Sequence, residues 1–317
     1  MQDYFRTLDE REGFIARSEV LASGYDDRFI RDMLRHRIWT RIRNGAYTPL
    51  ETWEGLDAVG RHLRRARAVL RAHGDAVALS HVSAMVVRGG CEVWGIDLSR
   101  VHVTRRDGRS GSIERDVVHH QGFLRDDEVE TVSGMAVVDE SRSLAETICG
   151  TGVEPGLVAA DSALRLGRVS MNRLEDLRQA MDRHRGSRTL DLVLRLADGR
   201  AQSVGESRCR YLFWRQGLPR PELQFPVFDR DGTLLGFTDL AWPEHRLLFE
   251  FDGRIKYGRL LKPGQEPGDV VFAEKRREDA MRRATGFTFE RATWADLSTP
   301  AATASRVRVH LASGWTA

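Results

Sequence analysis

The stretch GFTDLAWPEHRLLFEFDG, residues Gly236 to Gly253, contains two apolar runs separated by the short segment Pro243 to Arg246. Three acids, Asp239, Glu250 and Asp252, interrupt these runs. Burying a carboxylate is costly unless a partner compensates for its charge. The pattern predicts an antiparallel pair of strands joined at residues 243–246, with acids that need such a partner.

The predicted turn determines how the acids are arranged. If residues 243–246 form the loop, Trp242 pairs with Leu247 and Asp239 lies directly opposite Glu250. Cross-strand partners point to the same face of a sheet, with Cβ atoms about 4.5–5.5 Å apart. Asp252 shares this face because it lies two residues beyond Glu250. We therefore expect three carboxylates on one side of the hairpin.

Two explanations account for such a group of acids. A hard divalent cation, Mg²⁺ or Mn²⁺, would offset the repulsion, with Asp239 and Glu250 as its ligands. Salt bridges to arginine are the alternative, and a solvated polar face fits less well because Phe237, Ala241 and Leu248 lie on the same side. The arginines available for such bridges are Arg254, Arg276 and Arg277.

Working outward, residues 201–317 are predicted to form a C-terminal domain with the element order α-β-β-β-α-β. Its first helix is predicted in VGESRCRYLFWRQGL, and its second in VVFAEKRREDAMRRATG. The strands are predicted in PELQFPVFD, TLLGFTDLAW, LLFEFDG and FTFERAT. This order resembles the core of the PD-(D/E)XK nuclease superfamily, especially the branch similar to very-short-patch-repair endonucleases.

The resemblance implies roles for four acids. Glu206 in GESRCR looks like the helical glutamate that precedes the sheet, and Asp239 looks like the motif aspartate. Glu250 looks like the first acid of the E-x-K motif. Asp252 stands where that family usually has lysine, so it is a further ligand or holds the lysine in place.

The positive charge of the motif would then come from elsewhere, and Lys256 and Lys275 are the candidates. With such a lysine, the resemblance implies a Mg²⁺-dependent DNA endonuclease that hydrolyses phosphodiester bonds. Without it, the resemblance implies a nuclease-fold domain that has lost activity and serves recognition or dimerisation.

Residues 1–52 are predicted to form a winged helix-turn-helix domain. Helical spacing of apolar residues covers 13–25, and a second helix is predicted to begin at the N-cap Asp26. Asn44-Gly45 follows an alternating run and predicts a hairpin. Between residues 28 and 49 the chain has one acid, Asp32, against the following arginines: Arg28, Arg31, Arg35, Arg37, Arg41 and Arg43.

This local charge predicts double-stranded DNA as a partner, since a helix fits the major groove and a wing can lie along the phosphates. The alternative is a solvated, arginine-rich helix. GAYTP and LSHVSA, from the first region and from residues 53–200, are similar to segments of the AbiEi-type antitoxin and transcriptional-regulator family. That resemblance implies promoter binding, with a cognate toxin protein as a further partner.

Residues 53–200 are predicted to form a mixed α/β middle domain. Four of its histidines, His81, His102, His119 and His120, suggest a metal site, but they lack the close helical spacing of metal ligands. His119 and His120 would also lie on opposite faces of one strand. We therefore do not expect a metal ion at these histidines.

Bulk properties agree with three domains of α/β (α+β) class. The chain has 317 residues and a net charge of only +3, so a DNA surface must be a local patch. It has no apolar signal core and no run approaching about 18 apolar residues. We expect a cytoplasmic protein that does not span a membrane. Its function would be DNA cleavage, or repression or antitoxin activity with an inactive nuclease fold.

Overall fold

The computed structural model describes residues 2–253 and 267–313, and it confirms the mixed α/β class. The chain divides into two compact units. The first unit comprises Met1–Ala159 and Arg168–Leu194, and the second comprises Ala160–Gly167 and Arg195–Ala317. The first unit thus combines most of the two regions that the sequence analysis separated at residue 52.

The N-terminal part of the first unit contains a three-stranded antiparallel sheet in the order β1-β3-β2. Its elements are α1 (Gln2–Glu12), β1 (Ile15–Ala16), α2 (Arg17–Ala22), α3 (Asp27–Arg35), β2 (Trp39–Arg43) and β3 (Ala46–Pro49). The helix predicted over 13–25 is wrong at its start, because Ile15 pairs with Tyr47 as part of β1. Helix α1 was not predicted.

Helix α3 begins where its N-cap predicts. The Asp26 side chain accepts a hydrogen bond of 2.9 Å from the backbone N–H of Phe29, which satisfies one of the unpaired donors at the helix start. The apolar face of α3 packs into an aromatic cluster, in which the Trp39 ring lies 5.7 Å from Phe29 and 5.2 Å from Phe5. This packing directs the arginines of α3 outward.

The rest of the first unit is built around a six-stranded mixed sheet in the order β6-β7-β5-β4-β9-β8. Its strands are β4 (Val77–Leu79), β5 (Val101–Arg105), β6 (Ser112–Ile113), β7 (Val117–His120), β8 (Val129–Val132) and β9 (Met135–Val138). The neighbours β5 and β7 run parallel, as do β4 and β9. The other neighbouring pairs run antiparallel.

The helices of this region are α4 (Leu50–Gly55), α5 (Ala58–His73), α6 (His81–Arg88), α7 (Glu140–Gly150), α8 (Val153–Arg165), α9 (Met171–Ala180) and α10 (Ser187–Leu196). The division between the units falls within α8 and again at the end of α10. The stretch AVALSHVSAMVVRGG forms strand β4 followed by α6, because the buried run Val77–Leu79 pairs with strands on both of its sides.

The second unit contains a four-stranded sheet in the order β10-β11-β12-β13. Its elements are α11 (Val204–Arg215), β10 (Glu222–Phe228), β11 (Leu234–Trp242), β12 (Leu247–Asp252), α12 (Pro267–Thr285), β13 (Thr288–Thr293), α13 (Trp294–Leu297) and α14 (Pro300–Ser313). The first three strands are antiparallel and β13 runs parallel to β12. The predicted order α-β-β-β-α-β is observed, while α14 was not predicted.

Both faces of this sheet are covered. On one face, Phe249 lies 5.1 Å from Phe213 of α11, and a Cβ at Gly205 would overlap the Phe251 ring. On the other face, Leu248 forms a buried cluster with Met281 of α12. Because residues alternate along a strand, Glu250 and Asp252 of β12 share the face of Leu248, which is the face toward α12. Asp239 of β11 belongs to the same face.

Candidate functional site

The register of the β11–β12 hairpin is the one that the sequence predicts. Trp242 pairs with Leu247, and the ladder continues through Leu240 and Phe249. A short 3-10 turn, Pro243–His245, and a left-handed Arg246 with φ 54° close the loop. The ladder ends at Leu240 and Phe249, one step short of Asp239 and Glu250, so the predicted pairing of these two acids is not part of it.

Asp239 reaches across to the neighbouring strand. Its Oδ2 accepts a hydrogen bond of 2.8 Å from the backbone N–H of Phe251. The side chain is only partly buried. Asp239, predicted as a metal ligand, thus uses one of its oxygens to bind the backbone of β12 and to stabilise the end of the hairpin.

Glu250 is held by two arginines. It is buried, its Oε1 lies 2.7 Å from Arg277 of α12, and its Oε2 lies 3.2 Å from Arg291 of β13. Arg291 also contacts Glu278 at 2.8 Å. The alternative explanation by salt bridges is therefore confirmed for Glu250 and Arg277. A cation bound to Glu250 would have to compete with two guanidinium groups.

Arg277 was one of three arginines considered from sequence. It is the one that the structure pairs with Glu250, whereas Arg254 lies outside the described residues. Arg291 was missed. It pairs directly with Glu250 in the parallel β12–β13 ladder, a register that no local pattern reveals because the intervening crossover is long.

Glu206 stabilises the start of α11. It is buried and accepts hydrogen bonds from the backbone N–H of Gln202 at 2.9 Å and from the Ser203 hydroxyl at 3.0 Å. The Ser203 hydroxyl in turn accepts from the Glu206 N–H at 3.2 Å. Ser203 and Glu206 have the S-x-x-E spacing of a capping box, a signal in the sequence that the analysis did not use.

Gln224 connects this helix start to the hairpin. Its Nε2 donates to Glu206 Oε2 at 3.1 Å, and its backbone has the unusual positive φ of 50°. Leu223 and Phe225, which flank it in β10, pair with Leu240 and Thr238 of β11. Gln224 therefore occupies the position beside Asp239. The bonded pair of Glu206 and Gln224 therefore borders the predicted site, although sequence reasoning did not find Gln224.

Three predicted residues of the site remain to be placed. Asp252 is partly buried at the end of β12, opposite Thr293 of β13. Lys275 is exposed on α12, and Lys256 lies outside the described residues. Among residues 2–253 and 267–313, two groups of three side chains have ligand atoms within 4.8 Å of one another, as a metal site requires. Neither group contains an acid of the hairpin.

The arginines predicted to contact DNA fall into two classes. Arg28 and Arg31 are exposed on α3, and neither makes a hydrogen bond or ion pair within the described part of the chain. Arg35 is exposed as well and lies 2.9 Å from Asp32. These three side chains form the outward face of α3, which we call the α3 arginine face.

Three further arginines lie beyond α3. Arg37 is exposed and 3.7 Å from Glu54, and Arg41 is exposed near the Tyr47 ring. Arg43 differs, because its side chain is only 9% exposed and lies 3.2 Å from Asp116. The structure thus places Arg43 in an internal ion pair of the first unit, which removes it from the surface that DNA could reach.

The four histidines considered from sequence fall into two clusters. His81, His102 and His120 form one, and His119 forms the other with His73 and Glu114. His119 and His120 are on opposite faces of β7, as predicted. Helical spacing is not what brings the first cluster together, because its three histidines come from three separate elements.

Burial sets the protonation of the first cluster. It lowers the pKa of His102 to about 4, with a smaller contribution from His62. It also lowers the pKa of His120 to about 4 and that of His81 well below its usual value. All three imidazoles are therefore neutral at pH 7.

No protein-family model matches the chain. Two uncharacterized proteins of Mycobacterium tuberculosis, from strains CDC 1551 / Oshkosh and H37Rv, are each 36% identical to it over 135 residues. The match covers 38% of this chain and 49% of each relative, so the chain spans about half the length of the curated relatives it matches.

None of the helices in the described parts of the chain combines the length and the apolar character needed to cross a bilayer.

Proposed function

We propose that this chain is a regulator that binds double-stranded DNA through its N-terminal part. The observation that carries the proposal is the α3 arginine face, whose exposed side chains lie opposite a packed aromatic cluster. The element order α1-β1-α2-α3-β2-β3 supports a winged helix-turn-helix, in which α3 enters the major groove and the β2–β3 hairpin follows the phosphates. Arg41 and Arg37 would contact the backbone from this hairpin and its approach.

The charges of this region support phosphate contacts rather than internal pairing. Arg28 makes no hydrogen bond or ion pair within the described residues, and Arg31 has an electrostatic interaction with Asp27, which is itself paired with Arg17 at 2.6 Å. Arg35 could exchange its exposed bond to Asp32 for a phosphate, because exposed ion pairs contribute only about 0–1 kcal/mol. Arginine–phosphate contacts position the protein on DNA and supply much of its affinity.

For the second unit, we propose a nuclease-like architecture that does not cut DNA. The two guanidinium groups on Glu250 support this, because they neutralise the acid that would hold Mg²⁺ or Mn²⁺. Asp252, in the place where a nuclease would have lysine, supports it as well. The domain would then serve recognition or dimerisation, and the protein would act as a transcriptional repressor or as the antitoxin of a cognate toxin.

A Mg²⁺-dependent endonuclease is the second candidate. It is favoured by the hairpin register, which gives Asp239 and Glu250 one face of neighbouring strands. In this mechanism Mg²⁺ would displace Arg277 and Arg291 from Glu250, and the metal would polarise the scissile phosphate. Lys275, exposed on α12, would then supply positive charge near the transition state.

One experiment separates the two candidates. Duplexes selected from a random pool by the purified chain in EDTA are tested for binding, and then for strand cleavage after addition of Mg²⁺ or Mn²⁺. The proposal expects tight binding and intact strands. Cleavage that is lost in Asp239→Ala and Glu250→Ala, with binding retained, would establish the endonuclease instead. If the pool yields no bound duplex, both candidates are refuted.

A further inference from the structure

Three histidines from three different elements of the first unit converge on one another. His81 is the first residue of α6, His102 lies in β5, and His120 ends β7. Their ligand nitrogens lie within 4.8 Å of one another. The imidazole rings of His81 and His120 are stacked, with centroids 3.7 Å apart.

We propose that His81, His102 and His120 form a binding site for a divalent transition-metal ion of the Zn²⁺ class. Imidazole nitrogen is a ligand that Zn²⁺ and its neighbours in the first transition row prefer. Mg²⁺ takes oxygen ligands, so this site is chemically distinct from the one predicted at the hairpin acids. Three imidazoles leave a fourth tetrahedral position for water or another ligand.

The present distances lie close to those that a metal requires. His102 Nδ1 and His120 Nε2 are 2.9 Å apart, so in this structure they share a proton. Two nitrogens at about 2.0–2.1 Å from a tetrahedral ion would be separated by about 3.3 Å. An opening of a few tenths of an ångström would therefore let a cation replace the shared proton.

A buried carboxylate supports the orientation of the first ligand. Glu146 of α7 has Oε2 3.2 Å from His81 Nδ1, and its Oε1 accepts from Arg142 Nε at 3.0 Å. The Ser80 hydroxyl lies 3.0 Å from the same Nδ1. Ser80 and Glu146 thus lie beside Nδ1 and leave Nε2 for the ion, and the buried Glu146 Oε2, which has no hydrogen-bond partner among the described residues, is available to accept from Nδ1.

Two further features distinguish this cluster from an ordinary packed core. His81 has φ 50°, a left-handed conformation that costs of order 1–3 kcal/mol for a residue other than glycine and is concentrated at ligand and catalytic sites. Thr104 pairs with His120 on the same face of the sheet, and its buried hydroxyl has no hydrogen-bond partner among the described residues. That hydroxyl is placed to bond a ligand of the ion.

The second cluster is a weaker candidate, since it offers two imidazoles and Glu114, whose side chain is 48% exposed and bonded to His119. It nevertheless provides a matched control on the opposite face of β7.

The test is metal binding by the full chain after removal of metal with a chelator. Co²⁺ is titrated by its visible absorption, and Zn²⁺ is titrated in competition with an indicator. We expect stoichiometric binding, which His102→Gln and His120→Gln each weaken by about 100-fold or more. Glu146→Gln should weaken it by about 10–100-fold, as for other partners of metal ligands. The control His119→Gln should bind as the wild type does.

A separate measurement does not depend on the folding of any variant. X-ray absorption of the zinc-loaded wild-type chain should show three imidazole ligands. The proposal is overturned if the wild type binds neither ion, if His102→Gln and His120→Gln both bind unchanged, or if binding is lost in His119→Gln. A spectrum dominated by carboxylate or thiolate ligands would overturn it as well.

Discussion

The α3 arginine face predicts how the affinity for duplex DNA depends on salt. Replacing Arg28, Arg31 and Arg35 together by glutamine removes three charges and keeps polar side chains of similar length. If each arginine neutralises one phosphate, the slope of log K against log salt concentration becomes shallower by about 3 × 0.9, or about 2.7. Between about 50 and 200 mM salt, the wild type then loses about 40-fold more affinity than the variant.

The structure also sets a lower value for this change. Arg28 and Arg31 make no hydrogen bond within the described residues, whereas Arg35 must release its bond to Asp32 before it contacts a phosphate. If Arg35 keeps its pair, two phosphate contacts are lost and the slope changes by about 1.8. The expected change in slope is therefore about 1.8–2.7.

The assay is fluorescence anisotropy of a labelled, selected duplex at a series of salt concentrations. The matched control replaces three other exposed arginines of the first unit, Arg183, Arg185 and Arg188, by glutamine. It removes the same net charge away from α3 and should leave the slope nearly unchanged. An unaltered slope in the α3 variant, or an equal change in the control, would refute the assignment of DNA to this face.

Three predictions concern the second unit. Arg210→Gln should lower the free energy of unfolding by about 3–5 kcal/mol in urea denaturation, because Asp161, 2.6 Å away, would remain as a buried charge without its ion-pair partner. Gly205→Ala should cost about 1–3 kcal/mol or more, since its Cβ overlaps the Phe251 ring. Asp296→Asn should reduce the acid sensitivity of unfolding between about pH 4 and pH 2.

The sign of the last effect follows from the folded-state pKa of Asp296. Burial alone would raise it, but hydrogen bonds from Arg306 and Thr293 outweigh burial and lower it to about 2. The carboxylate therefore stabilises the fold above the unfolded pKa, and this contribution is lost as the pH falls toward 2. The wild type and Asp296→Asn should converge in stability at the acid end, as measured by denaturant unfolding at each pH.

The predictions for Gly205→Ala and Arg210→Gln can each be contradicted by a specific result. Gly55→Ala introduces a Cβ with nothing within 4 Å, so it should be close to neutral and should separate overlap from backbone effects. Equal costs for Gly205→Ala and Gly55→Ala would contradict the packing argument. A cost below about 1 kcal/mol for Arg210→Gln would show that Asp161 is compensated by its other donors, Ser207 and the Asp198 N–H.

Local patterns predicted much of the architecture because they act over a few residues. Period-two alternation and a four-residue turn were enough to predict the register of β11 and β12, and Asp26 was enough to predict the start of α3. They failed where pairing partners were distant. Strand β4, Val77–Leu79, is one example, because nothing in its local sequence shows that strands on both sides pair with it.

The sequence by itself determined which acids share a face of the hairpin and which arginines lie on the outward side of α3. Only the tertiary structure decided what those side chains meet. Arg277 and Arg291 reach Glu250 from elements 27 and 41 residues farther along the chain, and the internal pair with Asp116 buries Arg43. Helix and strand periodicity orients a side chain locally, whereas its partner depends on strand order and helix packing across the whole unit.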